Sequence, residues 1–412
     1  MTGPVFIAVR SLKCNALSTF ITSFSIALAC GLMMAVYAFK EQARNAFIMQ
    51  DMGYDAVVGA KGSQLQLVLN SVYHLEQSPG NISWEIYMSL KQNPMVKSAI
   101  PMAVGDNYYG YRIVGTSGEI FAHEKNGMKL KAGKLFDESK NQALVGSIVA
   151  EKTGLKIGDK IKPYHGLTFN PDEKHENEFE IVGILENSNT PNDRVIWIPL
   201  NSFFRMDGHV LRGDGNDFEA SSKKEIPDEH KEVSAVLVKF RSPLMAQRIA
   251  AQINRGNQAT IAYPVASVML DLFNKVGWVH KVLEMVSWLI MLVAAATVLV
   301  SIYNTMNDRR REFAILRSLG APGLSLVNII LNQAFILSIL GIIGGFLFYG
   351  TILTVAGQII REQTGVQIEI FKFSHILWLG PLAMVLISLV VALIPAVKAY
   401  KTDVSENLKP TS

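Results

Sequence analysis

The sequence predicts an α-helical membrane protein with four transmembrane helices and a large mixed α/β extracytoplasmic domain. Three observations predict it. Apolar residues fill 49% of the 412 positions and charged residues only 18%, where a soluble domain carries about 25% charged. The apolar residues are gathered into four stretches long enough to cross a hydrocarbon core of about 30 Å, which takes about 20 helical residues. A long polar region, with basic and acidic residues nearly balanced, separates the first stretch from the second. The same composition excludes other classes. Apolar content is too high, and a net charge of +4 too small, for a disordered chain. The 39 basic residues face 35 acidic ones, which is no nucleic-acid-binding surface. The 2 cysteines make neither a disulfide framework nor a four-cysteine metal site.

Taken in chain order, 1–15 is a short cytoplasmic segment and 16–39 the first span, uncharged from Ala16 up to Phe39. Arg10 and Lys13 before an apolar run, with Ala27-Leu28-Ala29 ahead of Cys30, also have the look of a cleavable signal. The run continues through Leu32, Met33, Val36 and Phe39, however, longer than a signal's apolar region, so an uncleaved anchor is expected. The second span, 282–304, carries only Glu284. The third, 324–355, is uncharged, and the fourth is 376–397. Their internal Gly and Pro are tolerable because neighbouring helices can satisfy the backbone.

The basic flanks set the orientation. Arg10 and Lys13 precede span one. The 305–323 loop carries Arg309, Arg310, Arg311 and Arg317. The 398–412 tail carries Lys398, Lys401 and Lys409. In the 356–375 loop, Arg361 and Lys372 are offset by Glu362 and Glu369. Both termini and the arginine-rich loop are therefore expected in the cytoplasm, with 40–281 and 356–375 outside.

Within 40–281 the reading is two nested parts. A helix is expected at 82–90 with Ser83 as N-cap, then strands at 96–102 and 108–114. Near the end, 232–240 reads as a strand, Ser242 and Pro243 open a helix through Ile253, and 260–263 is a further strand. These ends flank an inserted subdomain at about 117–222. There 143–153 reads as strand into helix, 155–161 as a turn on Gly158-Asp159 entering a strand, and 179–185 and 195–198 as β-rich. Segments 170–177 and 207–228 read as long, polar, mobile loops. Two joints, 40–51 and 267–281, lead to the spans. The second has Val268, Leu272, Val276 and Val279 at helical spacing. They are read as helical stalks, with amphipathic helices lying on the membrane surface as the alternative.

Signals for chemistry are sparse. No G-x-x-x-x-G-K-[ST] run exists to cradle a nucleotide. Gly59-Ala60-Lys61-Gly62-Ser63 has the wrong spacing and reads as a turn. His165, Asp172, Glu173, His175, Glu176 and Glu178 share one polar loop whose donors suit a transition metal such as zinc. His165 and His175 are its candidate ligands. The spacing matches no metal template, so the expectation is a solvated charged loop with no metal site. No nucleophile–base arrangement stands out, and no catalytic residue is assigned. Gly341, Gly344 and Gly345 allow close helix packing, either within one copy or at a dimer seam.

The 305–323 loop is the most specific stretch. In NDRRREFAILRSLGA, Phe313, Leu316 and Leu319 or Gly320 recur at helical spacing. Arg310 and Arg317 share a flank, with Glu312 offset from them. Gly320 can end the helix and Pro322 follows as a breaker. Such a short, arginine-rich amphipathic helix can lie on anionic lipid or fit a groove on a soluble partner. The residues alone leave both uses open.

The run REFAILRSLGA resembles the signature of the MacB/FtsX/LolC-type ABC transporter permease family. So do LVGSIVAEKTGLKIGDKI at 144–161, the P-A-x-x-A-x-x-x-D pattern at 395–403 followed by Leu408-Lys409, and the order of one span, a large outer domain and three spans. The likeness covers nearly the whole chain. It implies a MacB-like porter domain plus an inserted subdomain, in a bacterial inner membrane with the domain in the periplasm. It implies a non-catalytic permease whose loop helix docks on a separate ABC ATPase through Arg311, Glu312, Phe313, Leu316, Arg317, Leu319 and Gly320. This chain then needs no cofactor, and ATP and magnesium belong to that partner, in two copies. A second permease copy, as a homodimer, and a periplasmic adaptor or lipoprotein complete the partners implied. The machine would be of the mechanotransmission type, exporting, extracting or releasing an amphiphilic cargo: a lipoprotein, lipid, peptide or hydrophobic toxin. The nested outer domain favours the efflux or lipoprotein branch. Two alternatives stand beside it: a membrane sensor or receptor with no transport role, and a metal-related permease using the 165–178 loop.

Overall fold

The computed structural model describes residues 3–48, 53–122, 128–220, 225–366 and 375–400. Two compact units emerge. One comprises Met1–Ala43, Val276–Gly357 and Glu369–Ser412; the other comprises Arg44–Lys275 and Gln358–Ile368.

Among the described residues, a helix at Gly3–Cys14 precedes four helices long and apolar enough to cross a membrane, whose greater part makes up the first unit: Ala16–Ile48, Gly277–Asp308, Gly323–Thr364 and Leu379–Tyr400. Each contains most or all of an expected span and runs beyond it. The third continues past Val355 to Thr364 because nothing in that stretch breaks a helix before Gly365, which takes φ +78°. The outer loop expected at 356–375 therefore begins as helix. Its 367–374 part and the tail from 401, with Lys401, Asp403, Leu408 and Lys409, lie outside the described residues. Some polar groups in the spans pair across helices, which apolar surroundings favour. Ser18 and Ser301 hydroxyls meet at 2.9 Å. Glu284, the acid of span two, accepts from the Tyr37 hydroxyl at 2.5 Å.

The second unit is built on an 11-stranded mixed sheet. Its main path runs Ala259–Ala262, Ala56–Ala60, Ala235–Phe240, Val96–Tyr108, Tyr111–Thr116, Val195–Pro199, Gln142–Val145, Phe179–Leu185 and Leu130–Gly133. The hairpin between Val96–Tyr108 and Tyr111–Thr116 turns on Tyr109 and Gly110, both at positive φ, the geometry that matches strand twist. Both faces of the sheet are covered. Ile196 and Ile198 enter one core and Val195 and Trp197 the other, all essentially buried, as the period of two dictates. That is why 195–199 reads as an unbroken apolar run.

The expected elements are largely present. The Ser242 hydroxyl accepts from the Met245 amide at 3.4 Å and Pro243 opens the helix Pro243–Arg255. Ser83 occupies the N-cap position of Trp84–Lys91 without a side-chain cap bond; it pairs instead with Glu232 in a short ladder. The 267–281 joint is two helices, with Val265–Lys275 ending before Gly277–Asp308 begins. The insertion is not a separate sheet. Its strand Val195–Pro199 pairs in parallel with Tyr111–Thr116, from Val195 opposite Arg112 to Pro199 opposite Thr116, so insertion and flanking strands share one sheet. The end of the Gly323–Thr364 helix joins this unit through Arg361–Glu151 at 2.9 Å and Lys152–Glu362 at 2.6 Å.

Candidate coupling and metal sites

The arginine-rich loop forms the helix Arg310–Ser318, following the end of Gly277–Asp308 after a break at Arg309. The break is pinned by an Arg309–Glu312 ion pair at 3.2 Å. Beyond Ser318 the chain closes in a Schellman turn. The Gly320 amide donates to the Arg317 carbonyl at 3.0 Å and the Ala321 amide to the Leu316 carbonyl at 3.1 Å, with Gly320 at φ +92°. That left-handed position is the physical reason for glycine there. Arg317 donates to the Tyr400 carbonyl at 3.3 Å, placing a cation at the C-terminus of the fourth span's helix.

The seven residues singled out divide by exposure. Phe313 is buried and Leu316 and Arg317 are half-buried, so these anchor the helix. Arg311, Glu312, Leu319 and Gly320 are exposed, and Leu319 is 79% exposed. Ile315, which the periodicity passed over, joins them on the open surface. The helix therefore offers charge flanking two apolar side chains, the form a protein groove accepts.

Gly341, Gly344 and Gly345 face span one of the same chain. Built as alanines, they would bring Cβ atoms to 2.3 Å from Ile26 Cγ2, 2.9 Å from Ala27 Cβ and 3.0 Å from Cys30 Cβ. Of the two uses left open for this stripe, packing within one copy is the one its contacts occupy.

His165 and His175 come together, and with two residues that sequence reasoning missed. Asp106 is on the strand Val96–Tyr108, at an irregularity in register between Val104 and Asp106 that re-aims its side chain. His165 lies opposite it in a short antiparallel ladder. His209 comes from the segment just before Val210–Leu211. One donor atom from each of these four residues lies within 4.8 Å of all the others. Asp106 Oδ1 is 3.3 Å from His165 Nδ1 and 3.2 Å from His175 Nε2, and Oδ2 is 3.1 Å from His209 Nε2. The Asp106 side chain is fully buried, those of His175 and His209 nearly so, and that of His165 is 55% exposed. Of the expected solvated loop, Asp172, Glu173, Glu176 and Glu178 are exposed, while His175 turns inward to this cluster. Burial opposes ionisation of Asp106, but hydrogen bonds from the imidazoles, where the facing nitrogen carries a proton, outweigh it and hold the carboxyl well below its usual range.

Each buried histidine is oriented from behind. His175 Nδ1 lies 2.7 Å from the Asp207 carbonyl and His209 Nδ1 lies 2.9 Å from the Phe203 carbonyl. A carbonyl only accepts, so both Nδ1 atoms carry the proton. Their Nε2 atoms are left to face the carboxylate.

Residues 17–255 match the MacB-like periplasmic core domain, and residues 284–404 match the FtsX-like permease C-terminal region. Among solved structures, the periplasmic region of MacB from Actinobacillus actinomycetemcomitans is similar at 11% identity, over 55% of this chain and 97% of that one, with a TM-score of 0.35. The extracellular domain of the noncanonic ABC-type transporter YknZ from Gram-positive bacteria is similar at 15% identity, over 50% of this chain and 98% of that one, with a TM-score of 0.30. No curated protein matches the chain.

Proposed function

The chain belongs to the MacB/FtsX-type family of ABC transporter permeases, and on that premise we propose that it is the membrane subunit of a mechanotransmission machine. A separate ABC ATPase, holding ATP and magnesium, docks on the helix Arg310–Ser318. Its hydrolysis cycle drives export, extraction or release of an amphiphilic cargo, such as a lipoprotein, lipid, peptide or hydrophobic toxin, at the outer face. Two permease copies and two ATPase copies make the assembly. It sits in a bacterial inner membrane with residues 44–275 in the periplasm, where an adaptor or lipoprotein can engage them.

The observation that carries this reading is the exposed face of the loop helix. Arg311, Glu312, Ile315 and Leu319 are open, while Phe313 is buried and Arg317 bonds the Tyr400 carbonyl at the end of the fourth span's helix. A push on that face would be passed to two spans. A second feature supports transmission outward: the helix Gly323–Thr364 is unbroken, and its last turns belong to the domain-bearing unit.

Native purification of the full chain from its own membrane, with identification of what accompanies it, tests the reading. A stoichiometric ABC ATPase is expected. A chain that moves cargo with no ATP-hydrolysing companion would overturn it, and a bound kinase or regulator in its place would favour the sensor reading.

A further inference from the structure

We propose that Asp106, His165, His175 and His209 bind one divalent transition-metal ion, zinc by preference, and that the ion staples two segments of the insertion to a central strand of the outer domain. The proposal goes beyond the transport reading and does not depend on it.

Three features point to an ion. The first is spacing. A tetrahedral zinc with ligand bonds of about 2.0–2.1 Å has ligand–ligand edges of about 3.3 Å. Measured from the single oxygen Oδ1 of Asp106, the distances to His165 Nδ1, His175 Nε2 and His209 Nε2 are 3.3, 3.2 and 3.3 Å, which already match that edge. Only the histidine donors need draw together, since all lie within 4.8 Å.

The second is hydrogen-bond accounting. With Nδ1–H of His175 and His209 committed to carbonyls, their neutral Nε2 atoms present lone pairs to a buried carboxylate. Acceptor then faces acceptor, and Asp106 Oδ2 has no hydrogen-bond donor among the described residues. Protonating one imidazole relieves one contact only. Protonating both sets two like-charged rings, with centroids 5.2 Å apart, on one carboxylate. One divalent cation takes up the three imidazole lone pairs and one carboxylate oxygen at once. Three neutral imidazoles and a carboxylate are a donor set suited to zinc.

The third is the surrounding support. Backbone carbonyls that orient metal-bound histidines are a recurrent feature of real sites, and both buried histidines have one. The loop also has an anchor of its own. Asn107 Nδ2 donates to the Gly166 carbonyl at 2.9 Å and the Thr168 carbonyl at 3.2 Å, so the fold does not wait on the ion. Four protein ligands leave no open position, which marks a structural site rather than a catalytic one. The exposed His165 provides the entry path that metal binding requires.

The test uses the full chain in detergent, stripped with a chelator. Cobalt(II) should give the intense visible absorption of a four-coordinate site and be displaced by zinc, and elemental analysis should find one zinc per chain. His175→Ala and His209→Ala should weaken binding about 100-fold or more, and His165→Ala less. Asp106→Asn keeps the carboxylate's shape and should also lose affinity. Zinc should raise the unfolding temperature of the wild type and leave these variants unmoved. X-ray absorption at the zinc edge of the wild type needs no variant; it should show nitrogen and oxygen neighbours only, with imidazole scattering. Wild-type affinity no higher than that of His175→Ala, a six-coordinate cobalt spectrum, or a zinc edge without imidazole would each overturn the assignment.

Discussion

Ile26 occupies the space that a side chain on Gly341 would need. A Cβ at 341 would stand 2.3 Å from Ile26 Cγ2 and 3.0 Å from the Ser23 carbonyl oxygen. Spans one and three thus approach along a seam where only hydrogen fits, the close packing that small residues permit in lipid. Gly31 on span one does the same in reverse, facing Phe348 Cβ at 2.7 Å.

Gly341→Ala should therefore destabilise the membrane unit by about 1–3 kcal/mol, the usual cost of overpacking. Gly350 lies in the same helix, and a Cβ there would meet nothing within 4 Å among the described residues. Gly350→Ala should thus be neutral or gain up to about 1 kcal/mol of helix propensity. Thermal unfolding of both variants in detergent checks this. Equal melting temperatures would sink the seam.

On the loop helix, exposure separates docking from anchoring. Leu319→Asp and Glu312→Lys alter open positions. Each should weaken ATPase copurification by about 2 kcal/mol, the scale of an interface hot spot, while the permease keeps its level in the membrane. Leu316→Asp should also lose the partner, with added damage to packing because Leu316 is half-buried. Phe313→Ala should cost about 3 kcal/mol of stability, since Phe313 is buried. Undiminished copurification of Leu319→Asp would remove the docking role.

Much of this was legible in the sequence, and the limits have physical causes. The spans and the loop helix declare themselves because hydrophobic length and a 3.6-residue period are local. So does the helix Pro243–Arg255, whose Ser242-Pro243 start is a local capping signal. The shared sheet was hidden because Val195 pairs with Arg112 across a long insertion, and register of that kind leaves no local mark. The histidine–aspartate centre was half visible for the same reason. His165 and His175 share a loop, but Asp106 and His209 are 103 positions apart and meet only in the folded domain, where the Phe203 carbonyl holds the His209 ring. The strands expected at 96–102 and 108–114 also left Asp106 between them, whereas it lies within the strand Val96–Tyr108.

Topology can be checked by labelling. In a chain with Cys14 and Cys30 replaced, Leu244→Cys, at a position 78% exposed in the domain-bearing unit, should react with an impermeant maleimide on intact cells. Ser318→Cys, exposed on the loop helix, should react only after permeabilisation. The flanking arginines set that expectation. The opposite labelling pattern would invert the orientation and with it the docking proposal.

His74 makes the stability of the outer domain depend on pH. Its ring is buried against Trp197, its Nε2 lies 3.3 Å from Asn192 Oδ1, and its Nδ1 has no partner among the described residues. Burial, reinforced by the charges of Arg112 and Arg194, pushes its pKa down to about 3, against the pull of the Asn192 contact. In the unfolded chain it titrates near its ordinary value of about 6.5. Between those values the unfolded state holds the extra proton, so stability rises with pH across the window. Above about pH 6.5 the ring is neutral in both states, and folding is free of any penalty from it. Below that, stability is lost progressively as pH falls toward 3, at up to about 1.4 kcal/mol per pH unit. His74→Asn is the informative variant, because His74 sits at φ +54° and asparagine tolerates that left-handed position. Unfolding measured at pH 7 and pH 5 should show a drop in the wild type larger than in His74→Asn by about 1–2 kcal/mol. Subtracting the variant removes what the other histidines contribute, and an equal drop in both proteins would mean that His74 takes up its proton without unfolding the domain.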